Sequence, residues 1–560
     1  MAQQQDGDIT KLQQPRVLVA DPIAAEGIAF LRGVAHVEER HGLGQAELIA
    51  SIGNFDALLV RSETRVTADV IRAGTRLRII ARAGVGTDNI DLDEATRQGV
   101  IVVNSPTGNT TAAAEHTLAL LLALARHIPE ANAALRDGRW ERAAFVGTEL
   151  RGKTLGIVGL GKIGAEVARR AGEGGLGMRL LAADPYASPE TARKLQVELV
   201  SLDEMLPQAD FVTLHTALTN ATRGLLGPAE LELMKPGARI LNCARGGVID
   251  EPALLEALNS GHIGGAALDV FAKEPPALNT PSGALVAHAK VIATPHLGAS
   301  TEEAQVNVAL EVAEQVAEVL RGGTARAAVN APLILPETLR ELQPWMDLVE
   351  KLGRLYTQLH PGPLHRAELT VSGEIAGLDT RPLSAALVKG LLESVSEAQV
   401  NLVNAQVLAR DWGLEITESR STEPEQYANL VTVRVSGDGG GVLPFMLAAT
   451  IAWGEERIVR VDQYATDFVP KGHILICRNL DRPGMIGRIG TILGDAGVNI
   501  GHMDVGPIAS VPPDTTVNHG QRTPGGEALM ILSLDNPVPD RAIEQIRNTQ
   551  DIFSFTSVTL

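Results

Sequence analysis

The strongest constraint on the fold is an alternation of short apolar runs with helix-compatible segments over the first 330 residues. The alternation forms two series. One begins with RVLVAD (16–21), and the other begins with TLGIVGLG (154–161) after a continuous helical stretch from Thr111 to about Leu135. Apolar strands separated by helices predict parallel sheets that are covered on both faces. The sequence therefore predicts two doubly wound α/β domains, with a ligand site in the cleft between them.

The sequence changes character after residue 325. A helical segment at 383–412 precedes two strand-like runs, which predicts an α+β domain. A break near VPKG (469–472) then opens a short segment with β-α-β patterning. The polar lead at 1–15 is expected to be disordered, and the polar segment at 506–526 is expected to be a loop because it has no apolar period.

The composition predicts a soluble globular protein, because 45% of the 560 residues are apolar and 21% are charged. The formal net charge of -18 argues against a general nucleic-acid or anionic-membrane surface. Two cysteines, Cys243 and Cys477, are too few for a disulfide framework or a four-ligand zinc site, and we expect no metal. The most apolar helical run, 117–125, is too short to cross a bilayer, and the N-terminus lacks a secretory signal. We therefore expect a cytoplasmic protein.

A glycine-rich turn, GLGKIG (159–164), follows the first strand of the second series. Gly159 permits a tight turn, Gly161 lets the backbone approach a pyrophosphate, and Gly164 allows close packing of helix on strand. The N-terminus of the next helix presents free N–H groups to the phosphates. Asp184 ends the following strand, where an acid accepts hydrogen bonds from ribose hydroxyls and favours NAD over NADP. A glycine-rich turn that binds no ligand is the alternative interpretation.

Oxidation of an alcohol beside a carboxylate needs more than NAD: a cation for the carboxylate, a base for the hydroxyl proton, and a group that tunes the base. Arg245 in NCARGGVID follows an apolar strand, and its planar guanidinium suits a carboxylate. His296 in TPHLGAS ends the last strand of the series, and Glu274 in ALDVFAKEP follows the strand before it. A carboxylate there would hold the tautomer of the imidazole. Each residue alone also fits an ordinary role, as a surface ion pair, a solvated acid or a strand-end histidine.

Together these motifs resemble the signature set of the D-isomer-specific 2-hydroxyacid dehydrogenases, across about the first 330 residues. The stretches VRSETRVT, RAGVGTDNID and GNTTAAAEHT are similar to the branch of that family that acts on 3-phosphoglycerate. In this family the substrate-binding domain is discontinuous, because the chain builds the NAD domain before it returns. The domains that the resemblance implies are a substrate-binding domain (16–108 plus 297–330), an NAD-binding Rossmann-like domain (109–296), an intervening regulatory or assembly domain (331–468) and a ferredoxin-like ACT domain (472–560).

The resemblance also implies a reaction, the NAD-linked oxidation of 3-phospho-D-glycerate to 3-phosphohydroxypyruvate, which is the first step of L-serine biosynthesis. By this match Arg245 holds the substrate carboxylate, His296 is the acid–base group, and Glu274 pairs with it. The positions matched to further substrate contacts are Arg61, Arg82 and Asn109. The positions matched to NAD contacts are Gly159, Gly161, Lys162, Ile163, Gly164, Asp184, Thr216, Cys243, Ala244, Arg245, Asp269, His296 and Gly298.

The segment NLDRPGMIGRIGTILGDAGVNI (479–500) resembles an ACT domain. In serine-sensing relatives the effector is held at a domain interface, and the matched positions are Asp481, Asn499 and Asn479. L-serine is therefore the expected effector, and an ACT fold used only for dimerisation is the alternative. The resemblance implies a homo-oligomer, either a dimer or a tetramer, with no nucleic-acid or membrane partner.

Two other functions stay open at this point. The first is another D-2-hydroxyacid dehydrogenase, acting on glycerate or 2-hydroxyglutarate. The second is a non-enzymatic NAD-sensing co-regulator, as some relatives of this fold are. Comparison of turnover on phosphorylated and unphosphorylated acids distinguishes the first alternative from a 3-phosphoglycerate enzyme. Partner binding that depends on NADH, without turnover, would favour the second alternative.

Overall fold

The structure is a computed structural model that describes residues 14–332, 334–393, 400–437, 444–507 and 526–560. Most of the predicted polar lead and most of the predicted polar loop at 506–526 lie outside these residues. The described chain contains two parallel sheets, one mixed sheet and one antiparallel sheet. This arrangement confirms the predicted fold class, with two doubly wound α/β units followed by an α+β unit and a small ACT-like unit.

The first domain is a parallel α/β unit. Its elements are β1 (Arg16–Val19), α1 (Ala25–Arg32), β2 (His36–Glu39), α2 (Gln45–Ile52), β3 (Ala57–Val60), α3 (Ala68–Ala73), β4 (Ile79–Arg82), α4 (Leu92–Arg97) and β5 (Ile101–Asn104). The sheet order is β2-β1-β3-β4-β5, so the direction of winding reverses between β1 and β3. Successive apolar residues face opposite layers: Val17 and Val19 pack on one face, and Leu18 packs on the other. A crevice therefore forms at the carboxyl ends of β1 and β3.

The second domain is a larger unit of the same kind. Its elements are α5 (Thr110–Arg126), α6 (Ile128–Arg136), a 3-10 turn (Arg142–Phe145), β6 (Thr154–Val158), α7 (Lys162–Ala171), β7 (Arg179–Ala183), α8 (Pro189–Lys194), β8 (Glu198–Leu199), α9 (Leu202–Met205), β9 (Phe211–Leu214), α10 (Pro228–Leu233), β10 (Ala238–Asn242), α11 (Glu251–Asn259), β11 (Ile263–Leu268), α12 (Pro281–Ala287) and β12 (Val291–Ala293). The parallel sheet has the order β12-β11-β10-β9-β6-β7-β8. Winding reverses between β6 and β9, and the glycine-rich turn follows β6 at this point.

The helical stretch predicted from Thr111 to about Leu135 is two helices rather than one. α5 ends at Arg126, and His127 has a left-handed backbone with φ of 54°. Pro129 then lies in the first turn of α6, where its missing N–H costs nothing. Pro129 is the sequence signal for this break, because proline cannot continue a preceding helix.

One long helix, α13 (Glu302–Leu320), returns the chain to the first domain. Its apolar face packs in the same core cluster as β1 and β3, through Val308, Val312 and Val316. Glu311 on this helix accepts hydrogen bonds from Thr107 Oγ1 (3.0 Å) and from the backbone N–H of Gly108 (3.1 Å). The helix therefore holds the segment through which the chain first leaves the domain.

The third domain has a six-stranded mixed sheet with helices on one face. Its elements are α14 (Pro336–Leu359), β13 (Leu364–Gly373), a 3-10 turn (Glu374–Gly377), α15 (Arg381–Leu392), α16 (Ala405–Asp411), β14 (Glu415–Ser421), β15 (Asn429–Gly437), β16 (Phe445–Ala452), β17 (Glu455–Val461) and β18 (Tyr464–Phe468). The sheet order is β14-β13-β15-β16-β17-β18. The helix predicted at 383–412 is split into α15 and α16, and residues 394–399 between them lie outside the described ranges.

The fourth domain is a four-stranded antiparallel sheet that carries two helices. Its elements are β19 (His473–Leu480), α17 (Met485–Asp495), β20 (Ile500–Pro507), β21 (Glu527–Leu534), α18 (Asp540–Arg547) and β22 (Ile552–Thr559). The order β20-β21-β19-β22 is ferredoxin-like. The two helices cover one face of the sheet. The other face, including Ile474, Ile476 and Ile531, packs in the same apolar cluster as the third domain, so the two C-terminal domains share one core.

No single helix among the described residues is long and apolar enough to cross a membrane. In the described part of the chain, one pair of helices, α5 and α6 with a 63° bend between them, together has the length and composition of a span. The apolar face of α5 is buried against the second domain, where Leu118, Leu121 and Leu124 join its core.

Candidate active site

The strand ends of the first two domains face a shared cavity of about 1270 Å³. The predicted site residues that line it are Arg61, Arg82, Asn109, Ile163, Thr216, Cys243, Ala244, Arg245, Glu274, His296 and Gly298. The predicted residues outside its lining are Gly159, Gly161, Lys162, Gly164, Asp184 and Asp269. The structure thus collects the three candidate catalytic groups and the cationic positions in one cleft.

His296 and Glu274 form a hydrogen-bonded pair at the cavity wall. The imidazole Nδ1 lies 2.8 Å from Glu274 Oε2, and both side chains are partly exposed. Burial alone would raise the pKa of Glu274, but the hydrogen bond and charge of His296 outweigh burial and hold that pKa below its usual value. An ionised carboxylate only accepts hydrogen bonds, so Nδ1 carries a proton, and in the neutral imidazole Nε2 keeps the free lone pair. This tautomer makes Nε2 the basic atom.

The backbone around His296 is fixed by Asp269, which is fully buried. Asp269 accepts hydrogen bonds from the backbone N–H groups of Leu297 (2.7 Å) and Gly298 (2.9 Å) and from Thr294 Oγ1 (2.6 Å). His116 Nε2 lies 3.2 Å from the same carboxylate. His296 itself has φ of 55°, an uncommon conformation for a residue with a side chain. The supporting contacts hold this conformation in place, and His116 was not predicted from the sequence.

Arg245 follows β10 in a turn that Asn242 holds. Asn242 donates to the Arg245 carbonyl (2.9 Å) and accepts from the Ala244 N–H (3.0 Å). The Arg245 Nε donates to Asp88 Oδ2 at 2.9 Å, across the cleft from the first domain. Gly86 lies directly beneath this guanidinium, because a Cβ at that position would stand 1.9 Å from Nη2. Asp88 and Gly86 were not predicted as site residues, although both lie in the RAGVGTDNID motif.

Two further arginines converge on the cleft from the first domain. Burial, followed by the charges of Arg245 and Arg61, lowers the pKa of Arg82 to about 10. The guanidinium remains charged at neutral pH, so three cations share the cavity. The Arg82 Nε is buried without a hydrogen-bond partner among the described residues. An anion of the substrate would supply the missing acceptor and offset the mutual repulsion.

The Arg61 backbone is fixed from two sides. Buried Asp21 accepts the Arg61 N–H (2.5 Å) and the Thr64 N–H (3.2 Å). Asn89 donates to the Arg61 carbonyl at 2.7 Å. The loop at the carboxyl end of β3 is therefore rigid, and it presents the Arg61 side chain to the cavity.

The glycine-rich turn after β6 has the space that a dinucleotide needs. Gly159 has φ of 92°, and a Cβ on Gly164 would stand 2.1 Å from the Gly159 carbonyl, so both positions require glycine. Gly161 is the N-cap residue of α7, and a Cβ there would meet no atom within 4 Å. Asp184 accepts the N–H of Leu160 at 2.7 Å, which places its carboxylate beside the turn.

Other cleft residues also fit a cofactor and substrate. Thr216 Oγ1 and Asn109 Oδ1 are buried without hydrogen-bond partners among the described residues, and both side chains line the cavity. Buried polar atoms of this kind indicate a ligand that completes their hydrogen bonds. Cys243 lies in the same wall, and burial raises the pKa of its thiol to about 12, so it is a neutral surface rather than a nucleophile.

The three predicted effector residues do not meet within one chain. Asn479 pairs with Ala528 at one end of β21, whereas Asn499 precedes β20 and accepts the Asp535 N–H at the other end. Six residues of strand separate these ends by about 20 Å. Asp481 lies with Asn479, where its N–H donates to the Gly526 carbonyl at 2.7 Å. The Asn479 Oδ1 is buried without a hydrogen-bond partner among the described residues.

Comparison with protein families identifies the second, third and fourth domains. Residues 118–298 match the model for the D-isomer specific 2-hydroxyacid dehydrogenase NAD binding domain. Residues 341–462 match the D-3-phosphoglycerate dehydrogenase intervening domain, and residues 473–550 match the ACT domain.

Similar full-length proteins cover nearly the whole chain. A D-3-phosphoglycerate dehydrogenase from Synechocystis is 44% identical over 97% of this chain and 95% of its own length. Another from Methanocaldococcus jannaschii is 44% identical over 97% of this chain and 100% of its own. One from Bacillus subtilis is 43% identical over 97% and 99%. The chain belongs to the D-3-phosphoglycerate dehydrogenase family. It is accordingly an NAD-dependent enzyme of the 2-hydroxyacid dehydrogenase class.

Solved structures match somewhat more than half of this family member. The TT0316 protein from Thermus thermophilus is 38% identical, with a TM-score of 0.52 over 56% of this chain and 99% of its own. A glyoxylate reductase from Paecilomyes thermophila is 30% identical, with a TM-score of 0.51 over 57% and 98%.

Proposed function

We propose that the cleft oxidises 3-phospho-D-glycerate to 3-phosphohydroxypyruvate with NAD, as the first step of L-serine biosynthesis. The observation that carries the proposal is the His296–Glu274 pair (2.8 Å) in one cavity with Arg245 and two further arginines. A base beside three cations suits a substrate with one hydroxyl and two anionic groups.

Each chain residue has a defined part in this reaction. Arg245 binds the substrate carboxylate through its guanidinium, and the 2-hydroxyl then points to His296 Nε2. As the hydroxyl O–H bond breaks, Nε2 takes the proton, and Glu274 stabilises the imidazolium through Nδ1–H. A bound NAD would supply the acceptor for the hydride that leaves the carbon carrying the hydroxyl. The oxygen left behind becomes the ketone, so the products are the oxo acid, NADH and one proton.

The phosphate of the substrate would lie against the first domain. Arg61 and Arg82 line that side of the cavity, and Asn109 adds a buried polar group at its edge. Arginine pairs well with phosphate because its planar fork forms two parallel hydrogen bonds. These contacts favour a phosphorylated acid over glycerate or 2-hydroxyglutarate.

The cofactor would lie along the glycine-rich turn. α7 presents its free N–H groups beyond Gly161, and Asp184 offers a carboxylate to the ribose hydroxyls. The same carboxylate would repel a 2′-phosphate, which favours NAD over NADP. The nicotinamide end would reach Thr216 and the acid–base pair.

Turnover of purified protein tests the proposal directly. NADH formation should be followed at alkaline pH with 3-phosphoglycerate, glycerate and 2-hydroxyglutarate as parallel substrates. We expect rapid NADH formation with 3-phosphoglycerate alone. Equal or greater activity on an unphosphorylated acid would assign the cleft to another D-2-hydroxyacid. NADH-dependent capture of a partner protein, without turnover of any acid, would instead support the co-regulator role.

We further propose that the chain forms a homo-oligomer that binds L-serine between ACT domains. One ligand cannot touch Asn479 and Asn499 of the same chain across about 20 Å, so a site that uses both needs two copies. Light scattering measures the oligomer, and titration with L-serine should both lower activity and give a saturable binding signal. A flat result in both measurements would leave the ACT domain with an assembly role only.

A cytoplasmic location also remains a prediction. Fractionation of the source cells followed by activity measurement tests it, and activity in a membrane or organelle fraction would contradict it.

A further inference from the structure

Glu251 is a buried carboxylate that the mechanism above does not use. It is the first residue of α11, it is 8% exposed, and no cation pairs with it among the described residues. Its Oε1 accepts the backbone N–H of Ala272 at 2.7 Å, and its Oε2 accepts the hydroxyl of Ser282 at 2.5 Å. One side chain therefore binds both ends of the segment that leaves β11 and enters α12.

Glu274 lies within that segment, two residues after Ala272. Its carboxylate folds back over the loop: Oε1 accepts the Phe271 N–H at 3.1 Å, while Oε2 contacts His296 Nδ1. The neighbouring N–H groups of Phe271 and Ala272 are thus held by two different carboxylates. Loss of the Glu251 contact would release the Ala272 N–H on the side away from the cleft.

The turn that contains Gly246 supports the same loop on its other side. A Cβ on Gly246 would stand 1.8 Å from the Phe271 carbonyl, so the loop rests directly on the turn that carries Arg245. The loop is consequently held between the Gly246 backbone and the Glu251 carboxylate. With both supports in place, the loop backbone orients the Glu274 side chain towards His296.

We propose that Glu251 is a positioning residue for the acid–base pair: it clamps the Ala272–Ser282 segment so that Glu274 reaches His296. This inference rests on the proposed function, because it assigns Glu251 a role through the His296–Glu274 pair. Glu251 contacts neither substrate nor cofactor, and its effect passes entirely through Glu274.

The test compares Glu251→Gln with Asp250→Asn in the full-length protein. Glutamine keeps the size of the side chain but replaces one of the two acceptors with a donor. Asp250 is the adjacent carboxylate and caps the same helix through the Ala253 N–H (3.0 Å), without touching the loop. It is therefore a matched control for loss of a carboxylate at this helix end.

The readout is the pH profile of kcat/KM for 3-phosphoglycerate, together with KM for NAD. Because a misplacement of about 1 Å can cost roughly 100-fold, we expect Glu251→Gln to lower kcat/KM by about 10- to 100-fold. KM for NAD should stay within about 2-fold of wild type, since the Glu251 side chain bonds to Ala272 and Ser282 and not to the glycine-rich turn. Asp250→Asn should leave both quantities near wild type.

The acidic limb of the profile gives a signature that a purely structural role lacks. Oxidation needs unprotonated Nε2, and the Glu274 charge stabilises the imidazolium, so weakening the pair should move the limb to lower pH. Glu274→Gln should give the full shift, and Glu251→Gln a smaller shift in the same direction. The other charged groups around the pair are unchanged in these variants; they are Asp269, His116 on α5, and Arg245 with Asp88 across the cleft.

A double variant decides whether Glu251 acts through Glu274. In a Glu274→Gln background, Glu251→Gln should add less than about 3-fold, because the contact it supports is already lost. An undiminished loss in that background, or an unmoved limb in the single variant, would overturn the inference. If Glu251→Gln does not fold, Ser282→Ala replaces it, with a smaller shift in the same direction expected and no shift counting against the inference. A wild type without turnover, or an unmoved limb in Glu274→Gln, would refute the proposed function instead.

Discussion

Replacement of Gly86 by alanine offers a direct test of the carboxylate anchor without removal of any charge. The added Cβ would stand 1.9 Å from Arg245 Nη2 and 2.8 Å from Asp88 Oδ2. Normal contact needs roughly 3.5 Å, so the end of the guanidinium must retreat by about 1.5 Å. The clashing atoms belong to the far ends of side chains, so the backbone need not move and the fold should be retained.

The expected loss follows from the hydrogen bonds that this retreat breaks. A charge-assisted hydrogen bond contributes about 1.5–3 kcal/mol, and a two-point contact becomes at best a one-point contact after a shift of this size. At about 1.36 kcal/mol per decade, kcat/KM for 3-phosphoglycerate should fall by about 10- to 100-fold. KM for NAD should change less than kcat/KM, because the glycine-rich turn rather than this guanidinium would hold the pyrophosphate. The melting temperature should change little, because only the ends of side chains clash.

The assay is steady-state NADH formation, with Gly174→Ala as the control. Gly174 has ordinary backbone angles, and a Cβ there meets no atom within 4 Å, so this variant carries the extra methyl without the clash. Arg245→Lys provides a second comparison, because lysine keeps the charge but cannot form the two-point contact of the guanidinium. If Gly86→Ala retains the kcat/KM of Gly174→Ala, then Arg245 does not lie over this loop when substrate is bound.

Three further predictions address the other roles. His296→Ala should lower kcat by at least about 100-fold while the Kd for NAD, measured by fluorescence titration, stays near wild type; retained turnover would exclude His296 as the base. Arg61→Ala should weaken binding of 3-phosphoglycerate while activity on an unphosphorylated acid is spared, and equal loss on both would remove Arg61 from the phosphate site. Gly164→Ala places a Cβ 2.1 Å from the Gly159 carbonyl, so it should weaken NAD binding and lower the melting temperature. Gly161→Ala has open space around the new Cβ and should leave the melting temperature unchanged. Equal melting temperatures of the two variants would contradict the tight packing of the turn.

The sequence predicted the parts of the site that lie directly after strands. Apolar runs locate the carboxyl ends of parallel strands, and ligand groups gather at those ends, so Arg245, Glu274 and His296 are candidates from their position, while the resemblance implies their roles. Most of the residues that support them were missed, and Asp269 was predicted only as an NAD contact. Asp88 differs in no local respect from Asp91 or the acids that follow it, and it becomes the partner of Arg245 only because two domains meet across 157 positions of sequence.

The shared core of the two C-terminal domains is another property that depends on tertiary contacts. The run Ile474–Cys477 is apolar at four consecutive positions, which indicates that both faces of β19 are covered. The run does not identify the elements that cover the two faces. In the structure α17 and α18 cover one face, and the third domain covers the other. The separation of Asn479 from Asn499 is likewise invisible in the sequence, because strand pairing rather than spacing sets it.

The loops that carry the chemistry share one design, which explains why the supports matter as much as the groups that face the cleft. Buried Asp21 holds the loop of the proposed phosphate site, Asn242 holds the carboxylate anchor, Asp269 holds the base, and Glu251 holds its partner. Beyond the last residue of a parallel strand, backbone N–H groups lose their ladder partners, and a buried N–H without an acceptor costs about 1–3 kcal/mol. A buried acceptor at each strand end removes that cost for one specific loop path and for no other. Loss of such an acceptor therefore changes where the catalytic group points as well as how stable the loop is.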